Sequence, residues 1–189
     1  MRKKIASLGM CGLLLAGAVQ AAGVAEWRMD PAGSKLEFTA TFERNPVPGV
    51  FKDFDTRLRF DPEQPAGGGL DVTVNITSAD MSIPEVNKEI RGKDWFDYAG
   101  FPQAEFHSTD LRRTQGNRYV ARGMLSLKGV KQPIEVPFTW AGDAQRATLE
   151  GEIALKRGTF DIGLGEWAAT SVIGGDVKVK FTVKLRKAG

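Results

Sequence analysis

Apolar and polar residues alternate strictly in segment after segment of this chain, which is the period-two mark of strands with one covered face. Leu36, Phe38, Ala40 and Phe42 alternate with Glu37, Thr39 and Thr41; Leu58 and Phe60 with Arg57 and Arg59; Leu70, Val72, Val74 and Ile76 with Asp71, Thr73 and Asn75. A further strand spans Ala104 to Leu111. Ala121, Gly123, Leu125 and Leu127 then share one face, as do Ile134, Val136, Phe138 and Trp140, and Leu149, Gly151, Ile153 and Leu155. The last segment is the cleanest: Val177, Val179, Phe181, Val183 and Leu185 face in, while Lys178, Lys180, Thr182 and Lys184 face out. The pattern predicts eight strands, joined at turn clusters such as Pro46-Val47-Pro48-Gly49, Gly67-Gly68-Gly69 and Gly142-Asp143. One interruption is helical in character. Ser82-Ile83-Pro84-Glu85 reads as a capping box with proline in the first turn, and Val86, Ile90 and Trp95 fall along one stripe, so a short helix is predicted near Pro84 to Lys93.

Eight alternating strands either close into a barrel or stack as a sandwich, and alternation does not separate the two. Closure removes exposed edges, and an eight-stranded barrel is the size that either fills with its own side chains or holds one small ligand. A membrane-spanning barrel alternates as well, but it turns its apolar face to lipid. Here the outward faces carry many charges, and the carboxyl end, Leu185-Arg186-Lys187-Ala188-Gly189, has no terminal aromatic. The expected fold is therefore all-β: a soluble eight-stranded antiparallel barrel with one short helix and an apolar interior. Small residues recur on its inward faces, at Ala40, Ala121, Gly123 and Gly151. They predict a widened lumen walled by Phe38, Leu125, Ile153, Val179 and Phe181, although glycines at 123 and 151 suit bulges or sharp bends nearly as well.

The amino end changes the meaning of the composition. Arg2, Lys3 and Lys4 precede an apolar run from Ile5 to Ala18, and Val19-Gln20-Ala21 supplies small residues for cleavage after Ala21. The run is shorter than the roughly 20 residues a spanning helix needs. Residues 1–21 are thus expected to be a cleaved secretory signal, with residues 22–189 forming one exported domain. Leu8-Gly9-Met10-Cys11 is a poor lipoprotein box, because Met10 is too large for its place. Cys11 is the sole cysteine, so the mature chain has neither disulfides nor thiol chemistry. The formal charge of +3 also belongs to the leader: without it, 23 basic residues face 23 acidic ones, which removes the argument for a nucleic-acid partner.

Candidate chemistry is sparse. His107 is the only histidine and shares an outward face with Glu105 and Thr109, so no zinc site of nitrogen and sulfur ligands and no metal centre is expected. Gly-x-Ser-x-Gly does not occur. Gly163-Leu164-Gly165-Glu166-Trp167-Ala168 matches a dinucleotide fingerprint on paper but lies between antiparallel strands, in a glycine-rich stretch from Gly158 to Gly175 read as a flexible loop at one end of the barrel. Trp167 either pins that loop or covers an opening. Asn75-Ile76-Thr77 fits a glycan acceptor inside a predicted strand and carries no weight. Asp94, Asp97 and Glu166 are the carboxylates that a lipid-modifying enzyme would use at the barrel mouth, but carboxylates at loop ends are usually just solvated and the supply of other bases and nucleophiles is thin, so the chain is expected not to be an enzyme.

A further set of residues resembles a known family. Trp27, Asp30-Pro31 and Ser34 are followed by Gly49-Val50-Phe51, Phe54, Arg91, Trp95-Phe96-Asp97, Phe101-Pro102 and Phe106. A strand-turn-strand unit, Gly123 to Ile134, precedes Arg157, Phe160-Asp161-Ile162-Gly163, Gly165-Glu166-Trp167 and Asp176-Val177. In order and spacing these resemble the YceI-like proteins, lipocalin-like periplasmic barrels that bind polyisoprenoid lipids. Many members carry histidines where this chain has Gly33 and Phe42, which implies a more apolar pocket at that end. The resemblance implies a tunnel that sheathes a prenyl tail, of a polyprenyl phosphate or a prenylquinone, and a periplasmic carrier rather than an enzyme, with no other cofactor. Lumen-lining residues are then expected at Phe38, Ala40, Phe42, Val74, Ile76, Phe96, Phe106, Ala121, Gly123, Leu125, Phe138, Gly151, Ile153, Phe160, Trp167, Val179 and Phe181. Transient contact with a membrane or a membrane cytochrome handling quinone is the alternative partnership. Oligomeric state is not legible.

Overall fold

A computed structural model describes residues 24–188; the expected leader and Cys11 lie outside the described residues. Ten strand segments make up the barrel: β1 (Glu26–Phe42), β2 (Asn45–Phe51), β3 (Phe54–Arg59), β4 (Gly69–Asn75), β5 (Ala79–Asp80), β6 (Gln103–Gln115), β7 (Arg118–Leu127), β8 (Val130–Gly142), β9 (Arg146–Lys156) and β10 (Asp176–Lys187). They form eight staves. The long β1 pairs with β3 through Glu26–Arg28 and with β2 through Leu36–Phe42, so β2 and β3 are one stave broken at Lys52 and Asp53. β4 and β5 likewise form one stave, interrupted by a 3-10 turn at Ile76–Ser78. Antiparallel pairing continues through β6, β7, β8, β9 and β10, and β10 pairs with β1 to close the ring.

Alternation located the staves but not their full extent. β1 begins ten residues before Leu36, because Pro31 and Gly33 sit in a bulge between Asp30 and Lys35, with Gly33 at φ 85°. Ser34 repairs the ladder there: its hydroxyl donates to the Asp30 carbonyl (2.6 Å) and accepts from the Lys184 N–H (2.9 Å). The Pro46-Val47-Pro48-Gly49 cluster, expected to be a turn, is instead the strand β2. Its prolines are tolerated because β2 meets β5 only at Val50 and Phe51, leaving its outer edge unpaired at Pro46 and Pro48. The reversal itself is the two-residue Glu43-Arg44, both at positive φ (46° and 68°), as a tight hairpin requires.

The one α-helix among the described residues, α1 (Pro84–Glu89), starts where expected and ends earlier. The expected capping box does not form: Ile83 holds the N-cap, and Ser82 takes a positive φ of 58°. Asp80 organises this corner instead. Its carboxylate accepts from the Ser82 N–H (2.8 Å) and Asn87 Nδ2 (2.8 Å) and pairs with Lys52 Nζ (2.6 Å).

The barrel is filled at one end only. Trp27, Phe60, Tyr119, Phe138 and Trp140 form an aromatic plug where β1 begins and β10 ends; Trp27 meets Trp140 edge-on at 5.0 Å, and Phe60 meets Tyr119 at 4.9 Å. The polar tips of the plug are satisfied. Trp27 Nε1 donates to the Phe60 carbonyl (3.1 Å), and the Tyr119 hydroxyl donates to the Pro62 carbonyl (3.1 Å) while accepting from Arg113 (3.0 Å). At the other end Phe38, Met81 and Ile90 form a smaller cluster with Phe51, Val86, Trp95 and Phe96.

Candidate ligand cavity

Between the plug and the second cluster lies a cavity of about 550 Å3, within the roughly 300–1,000 Å3 range of small-molecule pockets. Its floor is Leu70, Val136, Leu149 and Val183, against the plug; its wall includes Leu36, Phe54, Val72, Leu125, Ile134, Ile153 and Val179. The open end is framed by the β1–β2 hairpin, α1 and the 157–175 segment, which contribute Phe42, Ile83, Trp167 and Ile173. Among the described residues the polar ones in the lining are Thr41, Thr56, Glu89, Glu105 and Arg157.

Of the expected lumen residues, Phe38, Ala40, Phe42, Val74, Ile76, Phe96, Phe106, Leu125, Ile153, Phe160, Trp167, Val179 and Phe181 line this cavity. Ala121 and Phe138 face inward too, but at the depth of the plug, where they are core. Gly123 and Gly151 do not widen anything. A Cβ on Gly123 would lie 2.6 Å from Ser108 Cα, because β6 bulges against it between Ser108 and Asp110. A Cβ on Gly151 would run into the Pro137 carbonyl oxygen and lie 2.9 Å from Phe181 Cε2, so this glycine admits both a neighbouring backbone and an aromatic ring; Gly49 seats Phe38, at 2.7 Å. Of the four small inward residues singled out, Ala40 is the one that borders the cavity. Met81, Val86, Ile90 and Ile173 also line the cavity and were not expected there; they come from non-strand segments, which alternation does not address.

The residue that shapes the mouth is Arg157, known from sequence only as part of the family likeness. It is 4% exposed, and among the described residues its partners are backbone carbonyls. Its Nε donates to the Gly174 carbonyl (3.0 Å), Nη1 to Ile162 and Gly163 (both 3.0 Å), and Nη2 to Trp167 (2.7 Å), Ile173 (3.0 Å) and Ala169 (3.4 Å). The guanidinium also stands 5.9 Å from the Trp95 ring. Burial pushes its pKa down from the ordinary arginine value. The 157–175 segment, expected to be flexible, is thus wrapped around one cation. A second buried cation, Lys128, donates to the Lys93 carbonyl (2.7 Å) and to the Asp161 carbonyl. Desolvation lowers its pKa, opposed by the carboxylates of Asp161, Asp97 and Asp94. The Asp94 carbonyl in turn accepts from the Gly163 (2.7 Å) and Leu164 (2.9 Å) N–H groups, and Trp167 packs on Trp95 at 5.9 Å. Asp94 and Asp97 therefore belong to the scaffold of the mouth, while Glu166 is exposed on the 3-10 turn Gly165–Trp167.

Nothing else assembles a reactive constellation among the described residues. His107 stands on the outer wall against Asp71, three-quarters exposed, and no cluster of three or more metal-ligating side chains is present among them.

The profile of the YceI-like domain matches residues 27–185, which is the whole barrel. The chain belongs to the YceI-like family. A UPF0312 protein of Photorhabdus laumondii is 36% identical over 125 residues, which is 62% of this chain and 65% of that relative's length. The chain thus spans just under two thirds of this curated relative. Among solved structures, the YceI-like barrel superposes on BcnA of Burkholderia cenocepacia with a TM-score of 0.80 at 35% identity, covering 82% of this chain and 98% of that one. A polyisoprenoid-binding domain from Saccharophagus degradans shares the fold at 15% identity, with a TM-score of 0.69 and coverage of 86% and 98%.

Proposed function

We propose that this YceI-like protein is a periplasmic binding protein that holds a long-chain isoprenoid lipid, a polyprenyl phosphate or a prenylquinone, in its barrel, and that it performs no chemistry on it. The observation that carries this reading is the half-filled barrel: an aromatic plug at one end, an apolar cavity of about 550 Å3 behind it, and a mouth at the other end. A barrel stabilised only by itself would pack its interior throughout. Polyisoprenoid binding by a domain of the same fold supports the lipid class. The periplasmic location rests on the basic and apolar leader read at residues 1–21.

Burying each CH2 is worth about 0.8 kcal/mol, so one five-carbon unit in the cavity contributes up to about 4 kcal/mol without any head-group contact. Affinity is therefore set by the tail. In a fluorescence displacement titration with prenols of rising length, the dissociation constant should fall stepwise until the cavity is filled and then level off. Equal affinity for all lengths, or none for any, would remove the reading. Intact mass of the exported protein checks the location, with a mature chain expected to start at Ala22.

A further inference from the structure

Few large apolar side chains are exposed on this molecule, and three of them meet at the cavity mouth. Phe42 (45% exposed) and Ile83 (42%) line the cavity and still face solvent, while Val172 (46%) is fastened beside Phe42. That fastening is explicit. The Glu43 N–H donates to the Val172 carbonyl (2.8 Å), Phe42 bridges to Ile173, and the Gly174 N–H donates to the Thr41 carbonyl (2.9 Å). The adjoining stretch from Trp167 to Gly175 has no charged residue, and Ala168 to Ser171 are exposed. The outer wall is different in kind: on β10 alone Lys178, Lys180, Lys184, Arg186 and Lys187 are all exposed.

We propose that this rim is a bilayer-docking surface, at which Phe42, Ile83 and Val172 insert among lipid head groups and bring the lumen into contact with the apolar layer. The inference rests on the lipid-binding reading above. A prenyl tail pays a large free-energy penalty for crossing water, at about 0.8 kcal/mol per carbon, so a lumen that opens through an uncharged apolar rim offers the tail a continuous apolar route. Charge then decides the kind of bilayer contact. The ionisable groups about the rim are Glu43 and Arg44 on the hairpin, Glu85, Lys88 and Glu89 on α1, Glu166, the Lys156–Asp176 pair that flanks the 157–175 segment, and Lys178. They show no basic excess, so docking works by apolar insertion and not by attraction to anionic lipid.

The test uses the full mature chain and two substitutions that do not touch the lumen, Ser171→Glu combined with Val172→Glu. The wall substitution Met124→Glu, at a residue 42% exposed away from the mouth, is the control. Two quantities are measured with a fluorescent polyprenol: its extraction from phosphatidylcholine vesicles, and its uptake when delivered from ethanol without any membrane. The rim variant should extract about tenfold more slowly, because two carboxylates oppose insertion into the interface, while ethanol-delivered uptake is unchanged. Met124→Glu should match the parent in both, and adding phosphatidylglycerol or salt should shift extraction less than about twofold. Normal extraction by the rim variant, or extraction that depends on anionic lipid and vanishes in salt, overturns the docking inference and leaves the binding reading standing. So does a parent chain that takes up ethanol-delivered lipid yet extracts none until a membrane protein is added. A parent chain that takes up no lipid by either route overturns the binding reading and the docking inference with it.

Discussion

The ring of Phe181 lies on the backbone of Gly151, its directly opposed partner across the β9–β10 ladder, and occupies the space where a side chain at 151 would begin. Glycine here gives the inward aromatic a seat. Phe38 over Gly49 repeats the arrangement on the β1–β2 ladder. Gly151→Ala should therefore cost about 1–3 kcal/mol by overpacking. In a double-mutant cycle with Phe181→Ala the two losses should be less than additive, the clash with the Pro137 carbonyl remaining. Chemical denaturation of the four proteins measures this, and additive losses would show that the ring and the glycine do not compete for one space. Gly123→Leu should lose stability as well, since β6 backbone blocks its side chain.

Removing Arg157 should loosen the mouth without unfolding the plug. Arg157→Met strands six carbonyls of the 157–175 segment and should cost roughly 2–4 kcal/mol, as for a buried charge-assisted network. Lysine should rescue it poorly, because three donors on one atom do not match a planar fork of five. Hydrogen exchange should rise at Ile162 and Gly174 while amides of the aromatic plug keep their protection. Uniform loss of protection would mean that Arg157 supports the whole barrel.

Ala40 is a small inward residue that borders the cavity, with Val47 opposite it on β2. Ala40→Phe should fill the lumen, lowering prenol occupancy several-fold and leaving the melting temperature close to that of the parent. Occupancy unchanged in a folded variant would show that the ligand does not use this stretch.

Asp80 gives a pH prediction. The ammonium of Lys52, then the Asn87 amide and the Ser82 N–H, hold its carboxyl far below the usual carboxylate range. The folded pKa is the lower one, so the contribution is fully present above the unfolded value of about 4 and is withdrawn as pH falls below it. Asp80→Asn should therefore destabilise the protein at pH 7, and the gap to the parent should narrow steadily from about pH 4 downwards. A gap independent of pH would show that shape, and not charge, is what Asp80 supplies.

Alternation made the staves and their inward faces legible, because a strand buried on one side repeats every two residues, but it left barrel and sandwich open. It did not reveal depth. Phe138 and Leu125 are both inward, yet one packs in the plug and the other borders the cavity, and only register and strand tilt decide which. The role of a glycine also depends on register: Gly151 is a seat because Phe181 stands opposite it, a partner 30 positions along the chain. Pro46 and Pro48 signalled a turn because a proline forbids a ladder only where a neighbour needs its N–H, and the strand has none on that side. Arg157 was hidden for a different reason. Its partners are backbone carbonyls, which carry no residue identity in the sequence.

The most direct test of the lipid-binding account is native mass spectrometry of the protein taken gently from its own periplasm, followed by solvent extraction of the same sample. The account predicts a mass above that of the chain from Ala22 to Gly189, with the excess recovered unchanged as a lipid bearing a prenyl tail. A bare polypeptide mass, under conditions in which a known lipid carrier retains its cargo, would contradict it.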